Sequence, residues 1–429
     1  MLTASTFEVR TGEARLAWLW VPLAVLIAMP WPLFSAPLIE RAVPIFWLVL
    51  TGAVLLISRL ARASWPFAAL LGWAVVRAFM MGLSVDPLTV QVGTVVLDAS
   101  RSRPLQLVLL LALVGLLYVA ARDMTPRLAR AVGWGMVVGV AYEAAFGYLN
   151  LWKIYPFMTF VVQEYAGRPM GFLTHPNYWG SFMALGLPLV WALLGIPAAI
   201  IVYALIATSM SGGPVISASI GVLVMAWPEL GKRLRLVVLG AAATTVTIVM
   251  TIHEWRLSGR REVWEAIWPE LIRYPVIGQG LGSWRIWADQ YNAKLSAAAG
   301  APVIFATLQA HFEAYQLWFE LGLIGLVFLG LWAYQAWLSV RGAWALCPPG
   351  NGAAWWAPNR APLERAWIAV LAVAVVNSFG SPTFHLPAQA AIALFALARI
   401  QAHAALTPPA PQPVAARRPA RGYARARRA

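Results

Sequence analysis

The sequence predicts an all-α fold: a polytopic membrane helix bundle of about twelve transmembrane helices, with a long outer loop before the tenth. Three observations carry this. Hydrophobic residues make up 61% of the 429 and charged residues 11%, with a mean hydropathy of +0.70, whereas a soluble domain is roughly 45–50% apolar. Apolar runs long enough to cross a bilayer recur from end to end. There are 23 tryptophans, and such rings collect at the headgroup level of membranes.

In order, the spans fall near 16–35, 42–58, 66–84, 104–121, 128–149, 178–194, 196–210, 213–228, 235–252, 311–340, 365–380 and 387–403. The first run, from Leu16, is long and lacks a small-residue cleavage site, so it is expected to stay as a helix. The seventh and eighth are short and separated by "SMSGGP"; the tenth is long enough to project beyond the bilayer. Two outer loops exceed simple turns, at about 150–177 and 253–310. Residues 1–404 thus form one transmembrane helical domain. Residues 405–429 are a Pro-, Ala- and Arg-rich tail, expected to be disordered and to lie on anionic cytoplasmic lipid. No internal repeat is visible, in particular no inverted one.

The net charge of +15 is a topology signal rather than a nucleic-acid footprint. With the amino terminus inside, the inner segments and adjoining span ends hold 20 Lys/Arg against 5 Asp/Glu, and the outer ones 11 against 10. The positive-inside rule then places both termini in the cytoplasm. The single cysteine, Cys347, falls in an inner loop and excludes an internal disulfide.

The tenth span opens "LQAHFEAYQLWFELGLIGLVFLG", from Leu308 to Gly330. On a helix, His311, Tyr315, Trp318 and Gly322 share one face, and Glu313 and Glu320 lie roughly opposite. Gly325 lies near the first stripe, and Gly322 with Gly325 would let another helix approach closely. His311 sits where the outer loop meets the membrane. A neutral imidazole there can take a proton near pH 7, or can simply cap and anchor the helix. Glu320 lies nine residues, roughly 13 Å, deeper. Arg77 in the third span and Glu143 in the fifth share its problem, and Arg77 is expected to be the only intramembrane cation. An Arg–Glu pair would relieve their burial, whether its role is structural or functional.

In the long outer loop, Val263, Trp264, Ile267, Trp268, Leu271 and Ile272 oppose Arg261, Glu262, Glu265 and Arg273. This is the pattern of a helix in the membrane interface, with a kink expected at Pro269. Arg256, Arg260, Arg261, Arg273 and Arg285 can rest on lipid phosphate, or can grip a ligand phosphate bidentately. The glycine-rich "PVIGQGLGSW" that follows can bring backbone close to a ligand. The sequence has no Asp-x-Asp pair, no His/Cys cluster at metal spacing and no Walker A loop. No metal, no cofactor and no direct use of ATP are expected.

"SGRREVWEAIWPELIRYPVIGQGLGSW", an Arg before a Trp-containing helix and a glycine-rich turn, is similar to the loop motif of the O-antigen ligase and polymerase superfamily of polytopic bacterial membrane glycosyltransferases. "AHFEAYQLWFELGLIG" resembles its His-to-Glu-x-Gly-x-x-Gly segment, and "RPMGFLTHPNYWGSFMALGLPL" its R-x-x-G-x-x-x-x-P-N entry into a membrane helix. All three stand in family order within about 165–330. Phe312 departs from the small polar residue usual after the histidine, His175 stands where Asn is common, and "SMSGGP" lacks the usual Arg.

The resemblance implies a multi-pass protein of the bacterial inner membrane with the loops in the periplasm. It implies a metal-independent glycosyltransferase that moves a saccharide from undecaprenyl diphosphate to lipid A core or a growing glycan. His311 would be the catalytic base, and Arg260 catalytic and diphosphate-binding. Arg168, and more weakly Arg273 and Arg285, would join it on the diphosphate. Arg77, Glu143 and Glu320 would be structural intramembrane groups. The rival readings are a proton-coupled secondary transporter, which would use those three groups as a path, and a non-catalytic scaffold of a polysaccharide export complex.

Overall fold

The computed structural model describes residues 124–152, 167–173, 175–237, 260–300, 312–347, 363–380 and 387–405, together with positions between 66 and 77, 89 and 98, and 115 and 122, and residues 240 and 383. The first, second and nearly all of the ninth expected spans, His311, and the tail beyond 405 lie outside the described residues. The third and fourth spans are described only at scattered positions, which are helical.

Helices dominate. α1 is Pro126–Leu151, α2 Pro176–Leu194, α3 Ile196–Thr208, α4 Gly212–Ala226, α5 Arg260–Arg273, α6 Ser283–Ala299, α7 Glu313–Leu346, α8 Leu363–Asn377 and α9 Pro387–Ala405. The all-α bundle stands, with one short hairpin added to it. Thr89–Val92 and Val95–Asp98 pair as antiparallel strands β1 and β2, with Val92 opposite Val95. Valine-rich runs on either side of Gly93-Thr94 are a hairpin signal that hydropathy alone passes over.

Helix starts follow local chemistry. Thr125 Oγ1 caps α1 by accepting from Leu128 N at 3.4 Å, and Pro126 occupies the first turn, where its missing N–H is harmless. His175 does the same for α2 through Nδ1, which accepts from Asn177 N at 3.1 Å ahead of Pro176. Gly195, at φ 90°, separates α2 from α3.

α1, α2 and α7 are long and apolar enough to cross a membrane, judged by length and composition. α2 is the central helix: 83% of its apolar window is buried, against 33% for α7. α1, α3, α4 and α8 surround it, and α9 joins α8 to α7. Between membrane helices the driving force is close packing rather than water exclusion, so small residues sit at the contacts. A methyl group on Gly221 would lie 2.7 Å from Val373 Cγ2, and one on Gly180 would lie 2.9 Å from Pro214.

The bundle has two chemically distinct ends. At one, Arg399 caps the carbonyls of Ala121 and Met124, and Arg365 bonds to Met225 O at 3.3 Å and Glu229 Oε1 at 3.1 Å. Both arginines are buried, and each sits where terminal helix carbonyls welcome a cation. The other end holds residues 167–173 and the start of α7.

Candidate functional site

α7 is not continuous. Gly322 has φ 69° and ψ −172°, which breaks the helix. The glycine-rich loop fills the gap by running alongside it. Gln279 N bonds to Phe319 O at 2.7 Å and Gly280 N to Glu320 O at 2.9 Å; Leu323 N bonds to Pro275 O at 2.9 Å and Ile324 N to Val276 O at 3.2 Å. Backbone groups freed by the break are thus satisfied by protein, as membrane-level irregularity requires. The contact is too close for side chains. A Cβ on Gly278, itself at φ 70°, would lie 2.5 Å from Gly322 N and 2.6 Å from Glu320 O.

Side chains bolt this clasp. Trp318 Nε1 donates to Pro275 O at 3.0 Å, Trp73 Nε1 to Leu321 O at 2.8 Å, and Arg77 Nη2 to Gly278 O at 2.7 Å. Glu320 is 1% exposed. Its Oε2 accepts from Gly282 N at 2.9 Å and its Oε1 from Gln316 Nε2 at 3.1 Å. Gly282 caps α6, so the carboxylate also faces the positive end of that helix. Sequence periodicity offered Gly322 and Gly325 to another helix. Gly322 instead receives the loop, and Gly325 lies against Leu321 of its own helix. About 24 residues follow the break, roughly 36 Å of helix, which spans a hydrocarbon core alone. Glu320 precedes the break, in the protein-lined region that the loop occupies.

α5 lies across the start of α7. Ile267 and Leu271 are buried against Trp284 and Phe319. Tyr315 Oη donates to Trp264 O at 3.0 Å, and the Trp264 ring stands 5.8 Å from Phe312 and 5.9 Å from Tyr315. Trp264 is one helical turn after Arg260, and Phe312 is the residue after His311. Arg260 is placed as the first residue of α5 and Arg285 in the first turn of α6; their side chains, like His311 as a whole, lie outside the described residues. The expected apolar face of α5 is divided: Ile267 and Leu271 pack on the protein, while Trp268 and Ile272 are 49% and 57% exposed. Pro269 lies inside the helix. Arg273 is exposed, paired at 4.0 Å with Glu270 and set over the Tyr274 ring.

The third segment reaches the same end. Arg168 donates from Nε to Ser209 O at 2.8 Å and from Nη2 to Ser211 Oγ at 2.7 Å, so its guanidinium holds the "SMSGGP" turn between α3 and α4. Burial, and then the Arg168 charge, push the His175 imidazole down to about 4. It is neutral at physiological pH, with Nδ1 spent as the helix cap. Glu143 is fully buried. Its backbone carbonyl accepts from Trp179 Nε1 at 2.8 Å, and its side chain lies against Gly171 of the Arg168 loop.

The start of α7 and the Arg168 segment meet at the end of α8. Glu313 N bonds to Ser378 O at 3.2 Å, while Asn377 accepts from Ser181 Oγ at 3.0 Å and donates to Thr383 Oγ1 at 3.1 Å. Phe379 stacks on Phe312 with centroids 5.5 Å apart. Sequence reading missed this junction. Its signal was present: Asn377 is a buried amide in an otherwise apolar span, and such groups bind neighbouring helices. It also missed the two buried arginines at the opposite end.

Among the described residues, no three or more His, Cys, Asp or Glu side chains cluster as metal ligands. No family model matches the chain, and no curated protein matches it.

Proposed function

We propose that the protein is a glycosyltransferase of the O-antigen ligase or polymerase type, with about twelve spans in a bacterial inner membrane and both termini in the cytoplasm. It takes a saccharide from undecaprenyl diphosphate at the periplasmic face and gives it to lipid A core or a growing glycan. One observation carries this reading. The Trp264 ring, one turn from Arg260, packs on the Phe312 ring, next to His311. The helix that opens at Arg260 therefore touches the start of α7, which follows His311 in the chain.

In this reading Arg260 stabilises the negative charge that grows on the leaving diphosphate. Arg168, fixed on Ser209 and Ser211 at the same end of the bundle, adds cationic charge, with Arg273 and Arg285 as subsidiary partners. His311 takes the acceptor hydroxyl proton. The new bond joins acceptor oxygen to the anomeric carbon as the carbon–diphosphate bond breaks. Glu320, Arg77 and Glu143 hold the scaffold.

The broken helix favours the transporter reading at first sight, since discontinuous helices build many transporter sites. Here the backbone groups at the break are taken by residues 275–280 rather than left for an ion. The deciding experiment is transfer from lipid-diphosphate-linked saccharide in proteoliposomes. Wild type should turn over, and Arg260→Ala and His311→Ala should lose on the order of 10²-fold or more. Inserted variants with wild-type turnover would remove both residues from the chemistry. Proton-coupled flux that requires Glu320 would favour transport.

A further inference from the structure

Trp268, Ile272, Tyr274, Val276 and Ile277, from the outward side of α5 and the turn after it, are each 36% to 57% exposed. The sequence pattern put Trp268 and Ile272 on one face with Ile267 and Leu271. The structure divides that face: the latter pair is buried and the former looks outward, joined by the turn.

The clasp fixes where this outward set lies. Through the bonds of Leu323 N to Pro275 O and Ile324 N to Val276 O, the turn sits beside the first residues after the break. Leu323 is 44% exposed, and Val327 and Leu331, each a further turn on, are 59% and 39% exposed. In a membrane-spanning chain that stripe of α7 faces acyl chains, and the turn continues it upward. Arg273 stands at the rim, its side chain 67% exposed and its guanidinium 5.5 Å above the Tyr274 ring.

We propose that α5 and the turn 274–277 form a ledge inserted in the outer leaflet of the bilayer. Trp268, Ile272, Val276 and Ile277 lie among the upper acyl chains, and Arg273 with Tyr274 meets the phosphate level. Contiguous apolar surface rimmed by a cation and an aromatic ring fits that boundary better than water. The clasp makes the ledge rigid with α7, so bilayer contact sets the height of α5 over the start of α7. The inference rests on the chain crossing a membrane and not on the transfer activity.

The test uses Cys347→Ser protein in phosphatidylcholine vesicles, with one nitroxide at Ile272→Cys, Val276→Cys, Val327→Cys or Glu265→Cys. Oxygen should relax the labels at 272, 276 and 327, and a water-soluble nickel chelate the label at 265. Nickel access at 272 and 276 while 327 stays oxygen-accessible overturns the ledge alone. Nickel access at 327 as well overturns the membrane placement of α7, and the ledge with it.

Discussion

Gly322→Ala should open the clasp without unfolding the bundle. At φ 69° and ψ −172° a residue with a Cβ is strained by about 1–3 kcal/mol. The added methyl would also lie 2.4 Å from Val276 C and 2.5 Å from Gly278 N, so the loop must retreat. Retreat breaks the bonds from Leu323 N and Ile324 N, each contributing about 0.5–1.5 kcal/mol. A local loss near 3 kcal/mol corresponds to on the order of a hundredfold in the opening equilibrium. Hydrogen exchange read by mass spectrometry on peptides covering 275–282 and 319–324 should show that gain, while α2 peptides stay unchanged. Gly330→Ala, where a methyl meets nothing within 4 Å, is the control and should leave exchange as in wild type. Wild-type protection of both segments in Gly322→Ala would refute the close-approach argument.

Glu320→Ala removes the acceptor for Gly282 N and Gln316 Nε2 in a buried place, so thermal unfolding in detergent should register a loss of about 1–3 kcal/mol. Glu320→Gln, which keeps an oxygen, should lose less; equal losses would mean that charge rather than hydrogen bonding dominates. His175 has its folded value lowered from 6.5 to about 4, so the folded chain binds fewer protons than the unfolded one. Its stabilisation is full above 6.5 and is lost as pH falls toward 4. The melting temperature should drop through that window, and His175→Asn, which still caps α2, should flatten the drop; identical pH profiles would exclude His175 as the source. Asn377→Leu cuts the chain from Ser181 to Thr383 and should cost about 1 kcal/mol, visible as a lower melting temperature with α2 and α8 still helical by circular dichroism.

Among the described residues, hydropathy located α1 to α4 and α7 to α9, because apolar length is the dominant constraint on a membrane span. The expected 178–194, 196–210 and 213–228 stand within a few residues of α2, α3 and α4. It could not find the break in α7. Gly322 sits in a strongly apolar run, and a glycine there reads equally as a packing face or as a hinge. What decides is the second strand of contacts from residues 275–280, some forty positions earlier, and no local pattern encodes that pairing. The same non-locality hid the Asn377 junction, where Ser181 and Thr383 meet Asn377 and the start of α7 meets the adjoining Ser378.

The charged groups show where one-dimensional depth misleads. Counting residues along an unbroken helix carried Glu320 roughly 13 Å below His311 and made it an isolated intramembrane acid that needed a cation. Folded, the chain gives it the Gly282 amide, the Gln316 side chain and the start of α6 as partners. The Arg77 guanidinium is set on the carbonyl of Gly278, four residues before Gly282 in the same loop. A carboxylate and a guanidinium thus stabilise opposite polar groups of one backbone segment. That arrangement needs glycines at 278, 280, 282 and 322, all at positive φ, so the glycine-rich motif is explained by close backbone pairing before any ligand is invoked. The loop is thus held from both sides, and α5, which precedes it in the chain, packs on Phe312 at the start of α7 through Trp264.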